Sequence, residues 1–349
     1  MTPNAKSLAS VSLDADNLWS YLKTHGDASW RDYPSYLDRL FSISMDTLEA
    51  LGLRCTFFIV GRDAADARHS DALADLTRRG HGVGNHTFEH EPWLHRYTPQ
   101  QLVDEIARAE EAIERATGQR PIGFRGPGFS WTPTVLHVLA ERGYQYDAST
   151  FPTFLGPLAR AYYFWTASLN ELQREERSSL FGGWRDVLNP IDPYRWRLSG
   201  ERTLLEIPVT TCPLLRTPFH LSYLLYLGTR SEALALGYLR TAIALCHATR
   251  VEPSILLHPL DFLGGDEEPN LAFFPAMRMP GARKRELASR LLKEITTAFD
   301  VLPLDVYARA ISARATLRVR TPNGSPNTTT HAAKATLHQD QPMGDVIGS

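Results

Sequence analysis

The run Cys55-Thr56-Phe57-Phe58-Ile59-Val60 gathers β-branched and aromatic side chains into six residues and is cut off by Gly61. Such a run reads as a buried strand. Upstream, Ala9 to Leu13 is an earlier strand candidate. Pro34 to Leu51 carries Tyr36, Leu37, Leu40, Ile43, Leu48 and Leu51 at helical spacing and stops at Gly52. Downstream, Asp66 to Arg79 is helical, and Gly80-His81-Gly82-Val83-Gly84 reads as a tight glycine-rich entry to the next segment. Thr98-Pro99 opens a helix with a cap and a first-turn proline; it runs to Thr117 and ends at Gly118. Ile122 to Phe124, a helix from Thr132-Pro133 to Gly143, and Tyr144 to Asp147 continue the series. Strand and helix thus alternate at about 30 residues, the rhythm of βα units around a parallel sheet or barrel.

The rhythm breaks after Asp147 and resumes with a strand at Leu204 to Val209, a helix at Ser231 to Ala248, a strand at Ser254 to Leu257 and an amphipathic helix at Ala282 to Phe299. The expected organisation is one domain over residues 1–312, with insertions at about 151–201 and 211–250. From 313 to 349 the chain turns to Thr, Asn, Pro, Gly and Ser without periodicity, which predicts a disordered tail. The 51 residues of the first insertion are rich in Trp, Tyr and Arg. Tyr162, Tyr163, Trp165, Trp184, Tyr194 and Trp196 either line a groove with flat faces for a ligand to stack on or pack the insertion's own core.

Composition narrows the function classes. With 43% hydrophobic residues in a chain of 349, a large core is available, and fibrous or wholly disordered classes are excluded. The net charge of −2 argues against nucleic acid as a partner. Cys55, Cys212 and Cys246 are an odd set without metal or disulfide spacing. The first ten residues hold no apolar signal region, and the longest apolar stretches fall short of the roughly 20 residues of a spanning helix, so the expected location is cytoplasmic. Pro213 to Leu227 is apolar enough to suggest peripheral contact with a membrane surface or a lipid-linked molecule, set against ordinary burial or a dimer face.

Candidate chemistry collects at the ends of the strand-like runs. Asp14 and Asp16 follow the first one, and in extended backbone residues two apart share a face. His86 and His90, spaced four apart, would fall on one face of a helical turn and offer two imidazoles to a metal. Arg125, flanked by glycines, follows Phe124; Asp147 ends Tyr144-Gln145-Tyr146-Asp147; His258 ends Ile255-Leu256-Leu257. Solvated caps, satisfied core histidines and a turn salt bridge are the bland alternatives for each taken singly. Two imidazoles with a carboxylate form a facial set that leaves positions open for water and substrate.

The ordered set Leu13-Asp14-Ala15-Asp16, His86-Thr87-Phe88-Glu89-His90, Phe124-Arg125-Gly126-Pro127-Gly128, Tyr146-Asp147 and Leu256-Leu257-His258 resembles the motifs of the NodB-homology polysaccharide deacetylases, carbohydrate esterase family 4. The resemblance covers about residues 8–150, 202–210 and 251–312. It implies a distorted (β/α) barrel with insertions on its C-terminal face, and hydrolysis of an N-acyl group, most simply N-acetyl, on an amino sugar of a polysaccharide, oligosaccharide or lipid-linked glycan. Carried over, Asp14 is the general base, Asp16, His86 and His90 hold a divalent metal, Arg125 holds Asp14 and His258 is the general acid. Zinc suits that ligand set. Two positions depart from the commonest pattern. Ala15 separates the aspartates, as in the branch of aminoarabinose deformylases and allantoinase-like amidohydrolases, and Gly126-Pro127 replaces a proline–aromatic pair. An amidohydrolase for a non-sugar amide and a non-catalytic glycan-binding module are the alternative functions.

Overall fold

The computed structural model describes residues 6–154, 186–314 and 316–322. Strand β1 (Leu8–Asp14) is central. It pairs in parallel with β2 (Thr56–Ile59) on one side, with β9 (Asp300–Pro303) below β2 on that side, and with β8 (Ser254–Leu257) on the other. Beyond β2 the sheet continues in parallel through β3 (Gly82–Asn85), β4 (Gly123–Phe124), β5 (Tyr146–Asp147) and β7 (Thr203–Glu206). The antiparallel β6 (Tyr194–Arg197) and the parallel β10 (Arg318–Arg320) extend that end. Just past β7, the Thr210 N–H donates to Ser254 O at 3.1 Å, and its Oγ1 accepts from Ser254 N at 2.8 Å. These bonds bridge β7 to β8 and bring the sheet round on itself as a distorted barrel.

Among the described residues the α-helices are α1 (Leu18–His25), α2 (Leu37–Glu49), α3 (Gly61–Ala65), α4 (Ser70–Arg78), α5 (Pro99–Thr117), α6 (Pro133–Glu141), α7 (Leu221–Gly228), α8 (Glu232–Thr249), α9 (Gly281–Ala298) and α10 (Leu304–Ser312). Helix α5 has the expected start: Thr98 Oγ1 accepts from Gln101 N, the Gln101 side chain returns to Thr98 N, and Gly118 closes the helix at φ 70°.

Strand β3 is where the glycine-rich reading fails. A Cβ on Gly84 would sit 2.4 Å from the Phe58 ring, and one on Gly82 2.4 Å from Asp305 Oδ1. These glycines are strand residues that make room for neighbours inside the barrel, which is filled by Phe58, Tyr146, Leu205 and Ile207 and capped by Leu304 and Tyr307 of α10.

Two expected boundaries move. Helix α8 buries Ala235, Leu239, Ala242 and Cys246 in the main core, so residues 211–250 are the crossover from β7 to β8 rather than an insertion. The predicted tail begins too early, because Arg318–Arg320 pairs with the open edge of β6 and Arg320 Nη1 reaches Leu188 O. A three-residue edge strand leaves no periodicity to read. Tyr194 and Trp196 are buried against each other and Trp131, so they pack the core; Tyr162, Tyr163, Trp165 and Trp184 lie outside the described residues. Within Pro213 to Leu227, Leu221, Leu224 and Leu225 are buried, while Leu214 and Leu215 are exposed. No helix among the described residues is long and apolar enough to cross a membrane.

Candidate metal centre

Three side chains from two strand ends converge. Asp16 Oδ1 lies 2.9 Å from His90 Nε2 and 3.2 Å from His86 Nε2, all three residues buried. One ligand atom from each lies within 4.8 Å of the others, the span of a candidate divalent-metal site. The donor set fits such an ion. His86 Nδ1 is bonded to Arg125 O at 2.6 Å, so that nitrogen carries the proton and Nε2 presents its lone pair to the cluster. Burial opposes the charged form of both partners, but the imidazoles hold Asp16 well below the usual carboxylate range. Asp14 and Asp16 in turn pull His86 above the ordinary histidine value. Two buried imidazoles and a buried carboxylate within this span form a candidate coordination environment for a divalent cation.

The histidine pair does not sit on a helical turn as the spacing suggested. It lies in the loop after β3, where Thr87 (φ 63°) and His90 (φ 53°) adopt left-handed backbone, a costly state for a β-branched residue. The surroundings enforce it. Asn85 Oδ1 accepts from Thr87 N at 2.8 Å, Gly61 N donates to Thr87 O at 2.8 Å, and Arg62 N donates to Phe88 O at 3.1 Å. The buried Glu105 carboxylate of α5 accepts from Phe88 N at 2.9 Å and from Glu89 N at 2.6 Å. Burial raises Glu105 above the usual carboxylate range, against the pull of these two N–H groups. Neither Asn85 nor Glu105 is among the residues the sequence motifs point to. The position of Asn85 directly before His86 is the available signal, whereas Glu105 looks in sequence like any helical acid.

Arg125 is fully buried at the end of β4. Its Nη1 donates to Asp14 Oδ1 at 2.6 Å and to Ser12 Oγ at 3.0 Å, its Nε donates to Ala148 O at 3.0 Å, and the guanidinium lies 4.3 Å from the Phe58 ring centroid. Asp14 is thereby held beside, not within, the Asp16–His86–His90 set. His258 follows Leu257, the register partner of Leu13, so it stands next to Asp14 at the level of the neighbouring strand end. Ser222 Oγ meets His258 Nδ1 at 3.0 Å, which leaves Nε2 as the ring's other polar atom. Asp261 Oδ2 accepts from His258 N at 2.8 Å. Tyr36 donates its hydroxyl to Asp16 O at 2.6 Å, fixing the backbone beside the two aspartates.

Asp147 is the one predicted site residue that does not join this arrangement. Its register partner is Phe124, whose ring packs with Leu102, Ile106 and Val135 of the outer helices. Side chains alternate along a strand, so Arg125 faces the interior and Asp147 the outer layer. There it accepts from Ser149 Oγ at 2.5 Å and faces Glu206 of β7 in register.

Residues 35–146 match the family profile described as polysaccharide deacetylase. The chain is 32% identical over 89 residues, 25% of its own length and 41% of the other's, to a chitooligosaccharide deacetylase of Azorhizobium caulinodans. It is 29% identical over 83 residues, 24% of its length and 29% of the other's, to a peptidoglycan-N-acetylglucosamine deacetylase of Bacillus cereus. The chain thus spans less than half the length of these curated relatives. A crystal structure from Mycobacterium smegmatis, of a protein assigned to the polysaccharide deacetylases, shares the fold at 17% identity and a TM-score of 0.60, covering 93% of this chain and 96% of that one. Over residues 35–146 the chain is thus similar to polysaccharide deacetylases, and it shares the fold of the Mycobacterium smegmatis protein along nearly its whole length.

Proposed function

We propose that the protein is a metal-dependent hydrolase that removes an N-acyl group, most simply N-acetyl, from an amino sugar of a glycan. The observation that carries this reading is the buried Asp16–His86–His90 set with Asp14 pinned by Arg125 beside it. A bound divalent ion, zinc being the best match to one carboxylate and two imidazoles, would supply Lewis acidity, lowering the pKa of water from 15.7 to about 7 and polarising the acyl carbonyl. The chain's own residues do the rest. Asp14, with Oδ1 held by Arg125, accepts the proton of the attacking water as it adds to the carbonyl carbon. His258 donates a proton to the sugar nitrogen as the C–N bond breaks, with Ser222 on Nδ1 fixing the ring. The products are the free amine and a short carboxylic acid. A non-catalytic glycan-binding module has no use for a pinned base and an oriented histidine flanking a cation site.

The test is metal content and turnover together. In His86→Ala and His90→Ala, bound zinc measured by atomic emission and hydrolysis of N-acetylchitooligosaccharides are both expected to be lost, with the circular dichroism spectrum retained. Parent-like turnover in both variants would sink the site assignment.

A further inference from the structure

An unassigned cleft lies along helix α7 from His258. Ser222, at the start of α7, bonds His258, and the six residues from there to Gly228 advance about 9 Å at 1.5 Å per residue. An aromatic row follows the same path: His220 lies 6.0 Å from His258, Tyr223 5.9 Å from His220, and Tyr226 6.2 Å from Tyr223, between ring centroids. Tyr226 lines a cleft of about 540 Å³ with Arg230, Arg278, Pro280 and Arg283.

The charge of this cleft is one-sided. No Asp or Glu lines it among the described residues. Neither Arg230 nor Arg278 forms an ion pair among the described residues, while Arg283 meets Glu232 at 3.3 Å, a carboxylate that also serves Arg290. Pro280 precedes α9 and Arg283 lies in its first turn; the N–H of Gly281 there donates to Asp266 Oδ1 at 2.9 Å, so the helix end is already capped and the positive charge of the cleft comes from its arginines. The C-terminal end of α7 works against this field, but its last carbonyls are taken up by the Thr229 N–H. Two uncompensated guanidinium groups and a third shared one match a dianion better than a single carboxylate.

Resting on the deacetylase reading, we infer that this cleft binds the phosphate or diphosphate group of an anionic glycan substrate, whose sugar rings cross the His220–Tyr223–Tyr226 row to reach the metal centre. The neutral part of the substrate stacks on the rings, and the anion anchors its far end.

The test uses the full chain loaded with zinc. N,N′-diacetylchitobiose and its reducing-end diphosphate are compared as substrates for the parent and for Arg230→Gln/Arg278→Gln. Inorganic pyrophosphate binding is measured by calorimetry on the parent, the double variant and the metal-free His86→Ala protein. The diphosphate form is expected to be turned over with a kcat/KM at least about tenfold above the neutral sugar, through KM. The double variant is expected to erase that ratio and to weaken pyrophosphate binding by about tenfold or more, whereas His86→Ala keeps it. A ratio unaffected by the double substitution overturns the inference, as does pyrophosphate binding that disappears in His86→Ala alone. Binding to vesicles of anionic phospholipid that matches pyrophosphate binding and is lost with the two arginines, without any ratio between the sugars, assigns the cleft to lipid headgroups and also overturns it. If neither sugar is hydrolysed yet pyrophosphate binding still depends on the arginines, the deacetylase reading falls and the anion cleft stands without its substrate.

Discussion

At the residue scale, Arg125 ties the chemistry to the fold. One guanidinium spans Ser12, Asp14 and Ala148, on β1 and the segment after β5, while its backbone carbonyl sets the tautomer of His86. A planar fork can do this; an ammonium offers the same charge at one point. For Arg125→Lys we expect zinc stoichiometry near that of the parent, because the carbonyl remains, and a kcat lower by about a hundredfold from misplacement of Asp14. Parent-like kcat in steady-state assays would mean that Asp14 needs no such support. Asp14→Asn is expected to keep metal and lose turnover; loss of metal instead would make Asp14 a ligand. In sequence, Arg125 stands out because it ends a strand between glycines. Its partners do not, since Ser12 and Ala148 carry no chemical signal of their own.

At the element scale, strand ends explain both what was legible and what was not. Asp14, His86, Arg125 and His258 each lie at the end of a strand, and parallel strands deliver such ends to one rim. Period-2 alternation decides which of them face inward, and a two-residue strand such as β5 is too short for its phase to be read. Asp147 fell on the wrong side of that ambiguity. It forms instead a buried pair with Glu206, whose other partners are Thr150 and Trp196. Burial first, then the facing Asp147 carboxylate, pushes Glu206 well above the usual carboxylate range, and burial raises Asp147 as well. Folded acids with raised values hold protons that the unfolded chain releases, so their contribution to stability falls as pH rises from the ordinary carboxylate range toward the folded values. Asp147→Asn replaces one of the two facing carboxyls by a neutral amide, which cannot release a proton as pH rises. Urea midpoints between about pH 5 and 9 should therefore decline less steeply in the variant than in the parent. Equal slopes would show that the pair holds no proton. Gly84→Ala, whose methyl would enter the Phe58 ring, is expected to cost about 1–3 kcal/mol by the same unfolding measurement. Glycine reads as a turn signal here because close packing and turn geometry call for the same residue.

At the scale of the whole molecule, the barrel depends on a short closure. Seven strands, β1 to β5 with β7 and β8, surround the interior, yet β7 ends at Glu206 and meets β8 only at Thr210, four residues further along the chain. Thr210 makes that junction with its backbone N–H to Ser254 O and its hydroxyl oxygen to Ser254 N. Ser254 is buried, so its N–H has no water to turn to. The alternation of strand and helix in the sequence announces a parallel sheet, but closure is a non-local event decided by two residues 44 apart, and no pattern in either stretch declares it. Thr210→Val keeps the side-chain shape and removes the acceptor, leaving Ser254 N–H buried and unpaired at a cost of about 1–3 kcal/mol. Because β8 leads into His258 and β1 carries Asp14, a loosened seam reaches the rim. In Thr210→Val, amide exchange should accelerate first in residues 254–257 while zinc affinity, set by β1 and the loop after β3, stays within about twofold of the parent. Exchange that accelerates uniformly across all strands would show instead that the junction is one ordinary bond among many, and that the seam has no mechanical individuality.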